Sequence, residues 1–134
     1  MNMSVDRNRA SSEDPINVKT ILVVEDDEDI GSFIVEALLQ ETPHQALLVT
    51  TGSKALETVK TIKPNLFVLD YLLPRMNGID LYDRLHATKE LEHIPAIMMS
   101  ANLPASEARK RKITCLKKPF ELDELLQTIE KLIA

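Results

Sequence analysis

The chain has 134 residues, of which 44% are hydrophobic and 28% charged, and a formal net charge of −5. That size suits one domain with a real core, and the acidic balance excludes a general grip on nucleic acid while leaving room for a local basic patch. No apolar run approaches the roughly 20 residues of a bilayer crossing, the N-terminus lacks the basic-then-apolar order of an export signal, and Cys115, the single cysteine, has no partner for an internal disulfide, which fits a reducing cytoplasm.

Residues 1–17 (MNMSVDRNRASSEDPIN) are polar and aperiodic, which predicts a disordered leader before a domain at 18–134. ILVV at 21–24 is a continuous apolar run, the mark of a strand buried on both faces. A helix is expected at about 28–41, with Ile30, Phe33, Ile34, Ala37 and Leu38 as its core stripe. HQALLVT at 44–50 reads as a second strand, and 52–62 as a helix burying Ala55, Leu56, Val59 and Ile62. LFVL at 66–69 is a third strand, followed by a Pro/Asn/Gly loop and a helix from Gly78 to Lys89. IPAIMM at 94–99 is a fourth strand. A short helix near 105–111, a short strand ITCL at 113–116 and a helix at 121–133, with Leu122, Leu125, Leu126, Ile129 and Ile133 inward, complete the chain. The basic run Arg109–Lys112 reads as a solvated helix end whose cations suit the helix dipole.

Strict alternation of strand and helix implies a parallel α/β sheet with helices on both faces. In such sheets the functional groups gather just beyond the carboxyl ends of the strands. Here the first strand ends in Glu25-Asp26, the third in Asp70, the fourth in Ser100 and the fifth in Lys117-Lys118 before Pro119; the second ends in Thr50-Thr51. Clustered carboxylates suit a hard cation such as Mg²⁺, which engages one or two of them together with a phosphate and relieves their mutual repulsion. A lone aspartate at a strand end is a candidate nucleophile toward a phosphoryl group. Ser100 would donate a hydrogen bond to its oxygens and Lys118 a compact positive charge. Of the five consecutive acids at 25–29, Glu25 and Asp26 then belong to the metal site. Asp27 caps the next helix, and Glu28 and Asp29 occupy its first turn.

These residues resemble the receiver domain of two-component response regulators over about 19–134, through VVED at 23–26, LDYLLPRMNG at 69–78, MSA at 99–101 and KKPF at 117–120. The resemblance implies a flavodoxin-like, doubly wound sheet with strand order 2-1-3-4-5. It also implies a phosphoacceptor at Asp70, and a magnesium site from Glu25, Asp26, Asp70 and the Leu72 backbone carbonyl. Ser100 and Lys118 would contact the phosphoryl group, and the bond between Lys118 and Pro119 would be cis. Pro74 and Gly78 match the loop that leads from strand to helix. Receivers dock their histidine kinases largely through the first helix, where Val35 and Leu39, one turn apart and off the core stripe, are the first candidates. The output partner would meet the face formed by helix four, strand five and helix five.

Three positions depart from the common pattern. Cys115 stands three residues before Lys118, where many receivers carry the aromatic ring that swings inward on activation, so that switch is absent or altered; the thiol itself reads as a small buried hydrophobe. The segment from Ser100 to Lys118 is short and lacks a Gly-Ala before the fifth strand, which predicts a shortened fourth helix. Leu72, two residues beyond the acceptor, has no polar group to orient an attacking water, which predicts slow self-dephosphorylation; Asn102 offers partial compensation. His44, His86 and His93 lack metal-ligand spacing and are expected at the surface, and Met98 and Met99 in the core.

The expectation is a stand-alone cytoplasmic phosphoacceptor, with no output domain after the last helix and no direct contact with nucleic acid or membrane. A histidine kinase or phosphotransfer protein would load Asp70, and the signal would pass by protein contact or phosphorelay. Such a chain is not an enzyme beyond its own phosphoryl transfer and slow self-dephosphorylation. The alternative is a degenerate receiver acting as a phosphorylation-independent binding module, which the complete set of acidic, hydroxyl and lysine positions disfavours. A magnesium-dependent phosphatase of the haloacid dehalogenase type would want Asp-x-Asp at the nucleophile, where this chain has Asp70-Tyr71-Leu72.

Overall fold

The computed structural model describes residues 17–102 and 104–133; of the expected leader, only Asn17 falls among them. The elements are β1 (Thr20–Val24), α1 (Glu28–Glu41), β2 (Gln45–Val49), α2 (Gly52–Thr58), β3 (Leu66–Asp70), α3 (Gly78–His86), β4 (Ala96–Ser100), α4 (Ala105–Lys110), β5 (Thr114–Lys117) and α5 (Leu122–Ile133), with a 3-10 turn at Lys89–Leu91. The strands form one parallel sheet in the order β2-β1-β3-β4-β5, the flavodoxin-like arrangement.

The apolar runs become the inner strands because both of their faces are covered. Every residue of β3 and β4 is buried, whereas the edge strands β2 and β5 are partly exposed. On one face Ile21, Val23, Val68 and Ile97 pack against Ile34 and Leu38 of α1 and Leu125 and Ile129 of α5. On the other, Leu22, Phe67, Leu69 and Met98 pack against Ala55 of α2, Leu81 and Leu85 of α3 and Ala108 of α4. Each fully buried aliphatic or phenyl side chain contributes about 1.5–3 kcal/mol relative to exposure. The two layers hold all five strand ends in one register.

Several expectations change. In α1 the buried line is Gly31, Ile34, Ala37 and Leu38, while Ile30 and Phe33 are 42% and 62% exposed. The cause is Gly31. A Cβ there would fall 2.5 Å from Leu48 Cδ1, so α1 lies closely on β2 along a line that hydrophobic periodicity does not mark. Val35 is half-buried and packs on that same face, which leaves Leu39, 49% exposed, as the accessible member of the expected docking pair.

The second helix ends at Thr58, four residues early, and Ile62 is exposed rather than inward. The histidines are not uniformly superficial either. His44 is buried and its Nδ1 accepts the backbone N–H of Lys19 at 3.0 Å. His86 stacks on Tyr82 with ring centroids 3.8 Å apart, and its ring nitrogens lie 2.9 and 2.7 Å from the carbonyl oxygens of Tyr82 and Ile94. Only His93 is exposed as expected.

The fourth helix is short, as expected: α4 has six residues. It ends in a turn where Lys112 N–H donates to Arg109 O at 3.1 Å and Ile113 N–H to Ala108 O at 2.9 Å. Lys112 sits there at φ 58°, the left-handed position that glycine usually fills at a helix end. The basic run is not merely solvated. Arg111 donates to both carboxylate oxygens of Asp83 at 2.7 and 2.8 Å and to Glu107 Oε1 at 2.9 Å, tying α4 to α3.

Candidate phosphoryl-transfer site

Each site residue is held by backbone bonds at the end of its strand. Glu25 N–H donates to Val49 O, Tyr71 N–H to Met99 O and Lys118 N–H to Ser100 O, at 3.1, 2.8 and 2.9 Å. The adjoining helix is capped from the same junction. Asp27 Oδ1 accepts from Asp29 N–H and Ile30 N–H at 3.0 and 3.1 Å, with Glu28 and Asp29 in the first turn, where the helix dipole favours negative charge. The five acids therefore divide between strand end and helix cap as expected.

Glu25 and Asp70 are buried and Asp26 is exposed. Carboxylate oxygens of the three lie within 4.8 Å of one another. Lys118 Nζ stands between two of them, 3.1 Å from Glu25 Oε1 and 3.2 Å from Asp70 Oδ1. The bond between Lys118 and Pro119 is cis. Burial raises the Glu25 carboxyl above its ordinary pKa; the N–H of Asp27 on its other oxygen and the Lys118 ammonium oppose the rise, and Asp70 adds to it. Burial works against the charge on Lys118 too, yet the two carboxylates hold its pKa above the ordinary lysine value.

Three carboxylates against one ammonium leave excess negative charge in a partly buried space. An oxygen-only donor set of that sign is what a hard divalent cation takes, so the residues present fit the magnesium ion that the sequence suggests. Ser100 Oγ donates to Asn102 O at 2.8 Å and accepts from Asn102 N–H at 3.1 Å; the hydroxyl is thus engaged with its own loop. Leu72, on the loop that follows Asp70, has a side chain 68% exposed. That loop doubles back sharply, with Gly78 N–H donating to Tyr71 O at 2.8 Å.

The structure thus brings Glu25, Asp26, Asp70 and Lys118 together, with Ser100 at the neighbouring strand end. Sequence reasoning did not find the apolar groove beside them. Its volume is about 380 Å³, and it is lined by Ile30, Phe33, Pro119, Phe120 and Leu122, with Lys118 at its margin. The available signal was the pair Ile30 and Phe33 at the edge of the helical stripe, which periodicity assigned to the core.

Comparison with known proteins agrees with this geometry. The chain is 27% identical over 116 residues to the polar-differentiation response regulator DivK of Brucella ovis, covering 84% of this chain and 94% of DivK. It is 32% identical over 119 residues to the sensor histidine kinase TmoS of Ectopseudomonas mendocina, but spans only 12% of that protein. The non-phosphorylated HemR receiver domain of Leptospira biflexa superposes with a TM-score of 0.78 at 30% identity, over 87% of this chain and 94% of that one. The chemotaxis protein CheY4 of Vibrio cholerae superposes at 0.79 with 21% identity, over 87% of this chain and 99% of that one, a likeness of fold. Residues 21–130 match the response regulator receiver domain, and a match across that much of the sequence makes the chain a member of the response regulator receiver family.

Proposed function

We propose that this receiver accepts a phosphoryl group on Asp70 from a histidine kinase or phosphotransfer protein and signals through a phosphorylation-dependent contact. The observation that carries the reading is Lys118 Nζ at 3.2 Å from Asp70 Oδ1 at the mouth of a partly buried acidic cluster. That pairing sets a cation beside the candidate nucleophile, poised for the incoming charge. An Asp70 oxygen attacks phosphorus in line, and the bond from phosphorus to the donor nitrogen breaks as the acyl phosphate forms. Lys118 offsets charge on the phosphoryl oxygens. Ser100 exchanges its bond to Asn102 O for one to a phosphoryl oxygen, and that exchange is the local event from which the signal starts. Magnesium, held by Glu25, Asp26, Asp70 and the Leu72 carbonyl, would neutralise charge on the transferring group.

That the chain covers 94% of DivK, itself a response regulator, supports this reading. Among the described residues no helix is long and apolar enough to cross a membrane. The phosphoryl donor docks on the α1 side, where Ile30, Phe33 and Leu39 are exposed; the output partner meets the face of α4, β5 and α5. The test is incubation with acetyl phosphate and Mg²⁺ followed by intact mass. Wild type is expected to gain one phosphoryl group and Asp70→Asn none; an unchanged wild-type mass sinks the reading.

A further inference from the structure

We infer that Met76 is a positioning residue for phosphoryl transfer: seated on Gly52 at the start of α2, it holds a strained turn that shapes the loop between Asp70 and Gly78. This rests on the phosphoacceptor reading above and adds a contact, outside the acidic cluster, on which the shape of that loop depends.

The strain lies at Arg75, whose φ is 70°. Met76 N–H donates to Pro74 O at 2.8 Å, so the three residues close a γ-turn with its central residue in the left-handed region. That form of the turn is rare, and it is costly for a residue that carries a Cβ. Such backbone persists only where neighbouring contacts outweigh the cost. Arg75 is exposed, and the buried contacts are made by the residues on either side. Leu73 is buried in the core layer beneath α2 and α3, and Met76 packs against the same layer.

Met76 is seated where a side chain is missing. Gly52 opens α2 and does not take a left-handed φ, so its backbone does not call for glycine. Space does. A Cβ on Gly52 would fall 2.7 Å from Met76 Sδ and 2.9 Å from Met76 Cγ, which places the thioether directly over the α2 backbone. An unbranched, polarizable side chain suits a niche of that shape. Because Cγ is one bond from the Met76 Cβ, pushing it away either turns the side chain out of its seat or carries the loop backbone with it.

The loop is short and closed on itself. Tyr71 O accepts both Leu73 N–H at 3.2 Å and Gly78 N–H at 2.8 Å, and Asp70 directly precedes Tyr71. The Leu72 carbonyl, the candidate magnesium ligand, belongs to the same few peptide units. Relaxation of the turn at Arg75 changes the course of the chain between Leu73 and Gly78, and the displacement passes to Leu72 and Asp70. Met76 touches no reacting atom; it acts by keeping groups that do in place, and small misplacements of such groups are costly in rate.

The test compares wild type, Met76→Ala, Gly52→Ala, Arg75→Gly and the double variant Arg75→Gly/Met76→Ala, each with its fold checked by circular dichroism. Two quantities are read. One is the rate of labelling by acetyl phosphate with Mg²⁺. The other is the Mg²⁺ concentration that gives half of the rise in melting temperature without a phosphodonor. Met76→Ala is expected to slow labelling about fivefold and to raise the Mg²⁺ midpoint, since the left-handed turn loses the contact that offsets its cost. Gly52→Ala, which keeps the thioether but unseats it, is expected to act in the same direction. With Arg75→Gly the turn is no longer strained, so adding Met76→Ala to that variant is expected to change both quantities by less than about twofold. Wild-type rate and midpoint in Met76→Ala or in Gly52→Ala, or an equal loss from Met76→Ala with and without Arg75→Gly, overturns the inference. A wild type that takes no label overturns instead the phosphoacceptor reading, and the Mg²⁺ midpoints then decide the positioning alone.

Discussion

Lys118 Nζ lies 3.1 Å from Oε1 of Glu25, a contact between residues 93 positions apart. Glu25 leaves β1 and Lys118 follows β5, so the lysine reaches across the ends of β4 and β3 to arrive there. The parallel sheet makes this possible by delivering every strand end to one side.

Removing that ammonium leaves Glu25 and Asp70 facing each other without a counter-charge. Lys118→Met is therefore expected to destabilise the fold by about 1–2 kcal/mol in metal-free buffer, less than for a fully buried pair because the lysine is partly exposed. Magnesium is expected to raise the melting temperature of this variant more than that of wild type. Equal magnesium shifts in paired thermal melts would contradict the account.

Gly78 closes the loop that carries Asp70. A Cβ at that position would lie 2.8 Å from Asp70 O, 3.0 Å from Tyr71 Cα and 2.5 Å from Met98 Sδ. The thioether can move aside, but the two backbone atoms cannot without displacing the aspartate. Gly78→Ala is expected to cost about 1–3 kcal/mol of stability and to slow labelling by acetyl phosphate. Urea titration and the labelling rate check both; wild-type values in both would refute the close approach.

Lys112 holds a left-handed conformation at the end of α4, with φ 58°. For a residue with a Cβ this conformation costs roughly 1 kcal/mol. Lys112→Gly is expected to stabilise the protein by about 0.5–1 kcal/mol, while Lys112→Ala yields no such gain. A urea midpoint that falls in the glycine variant would count against this turn.

The bidentate bond from Arg111 holds the Asp83 carboxyl below its ordinary pKa, and the positive charge of the same guanidinium acts in the same direction. A depressed folded-state pKa contributes stability above the ordinary carboxylate range and loses it as the pH falls through that range. The carboxylate is half exposed, so with solvent screening the contribution is about 0.5–1 kcal/mol. Between neutral pH and about pH 3, Asp83→Asn is expected to lose less stability than wild type. Parallel slopes in urea midpoints against pH would contradict the pairing.

Much of this was legible in the sequence because inner strands of a parallel sheet are continuous apolar runs that stop at polar residues. ILVV before Glu25 and LFVL before Asp70 carry both the strand and its functional end. The cap on α1 was legible too, since Asp27 and the acids after it follow local rules. The facing of α1 was not. Its closest approach to the sheet is made by Gly31, which carries no hydrophobic signal, and so Ile30 and Phe33 were assigned to a core they do not enter. His44 was equally opaque, because its burial depends on the backbone N–H of Lys19, 25 positions away. The pairing of Lys118 with Glu25 and Asp70 follows from strand order, which alternation of elements alone leaves open.

The central claim is that Asp70 forms the acyl phosphate. Reduction of the phosphorylated chain with borohydride converts an aspartyl phosphate to homoserine, which peptide mass spectrometry locates in the sequence. The account expects homoserine at position 70 of the wild type, dependent on Mg²⁺ and absent when the phosphodonor is withheld. Homoserine at another aspartate, or none in a chain that has gained a phosphoryl mass, would contradict it.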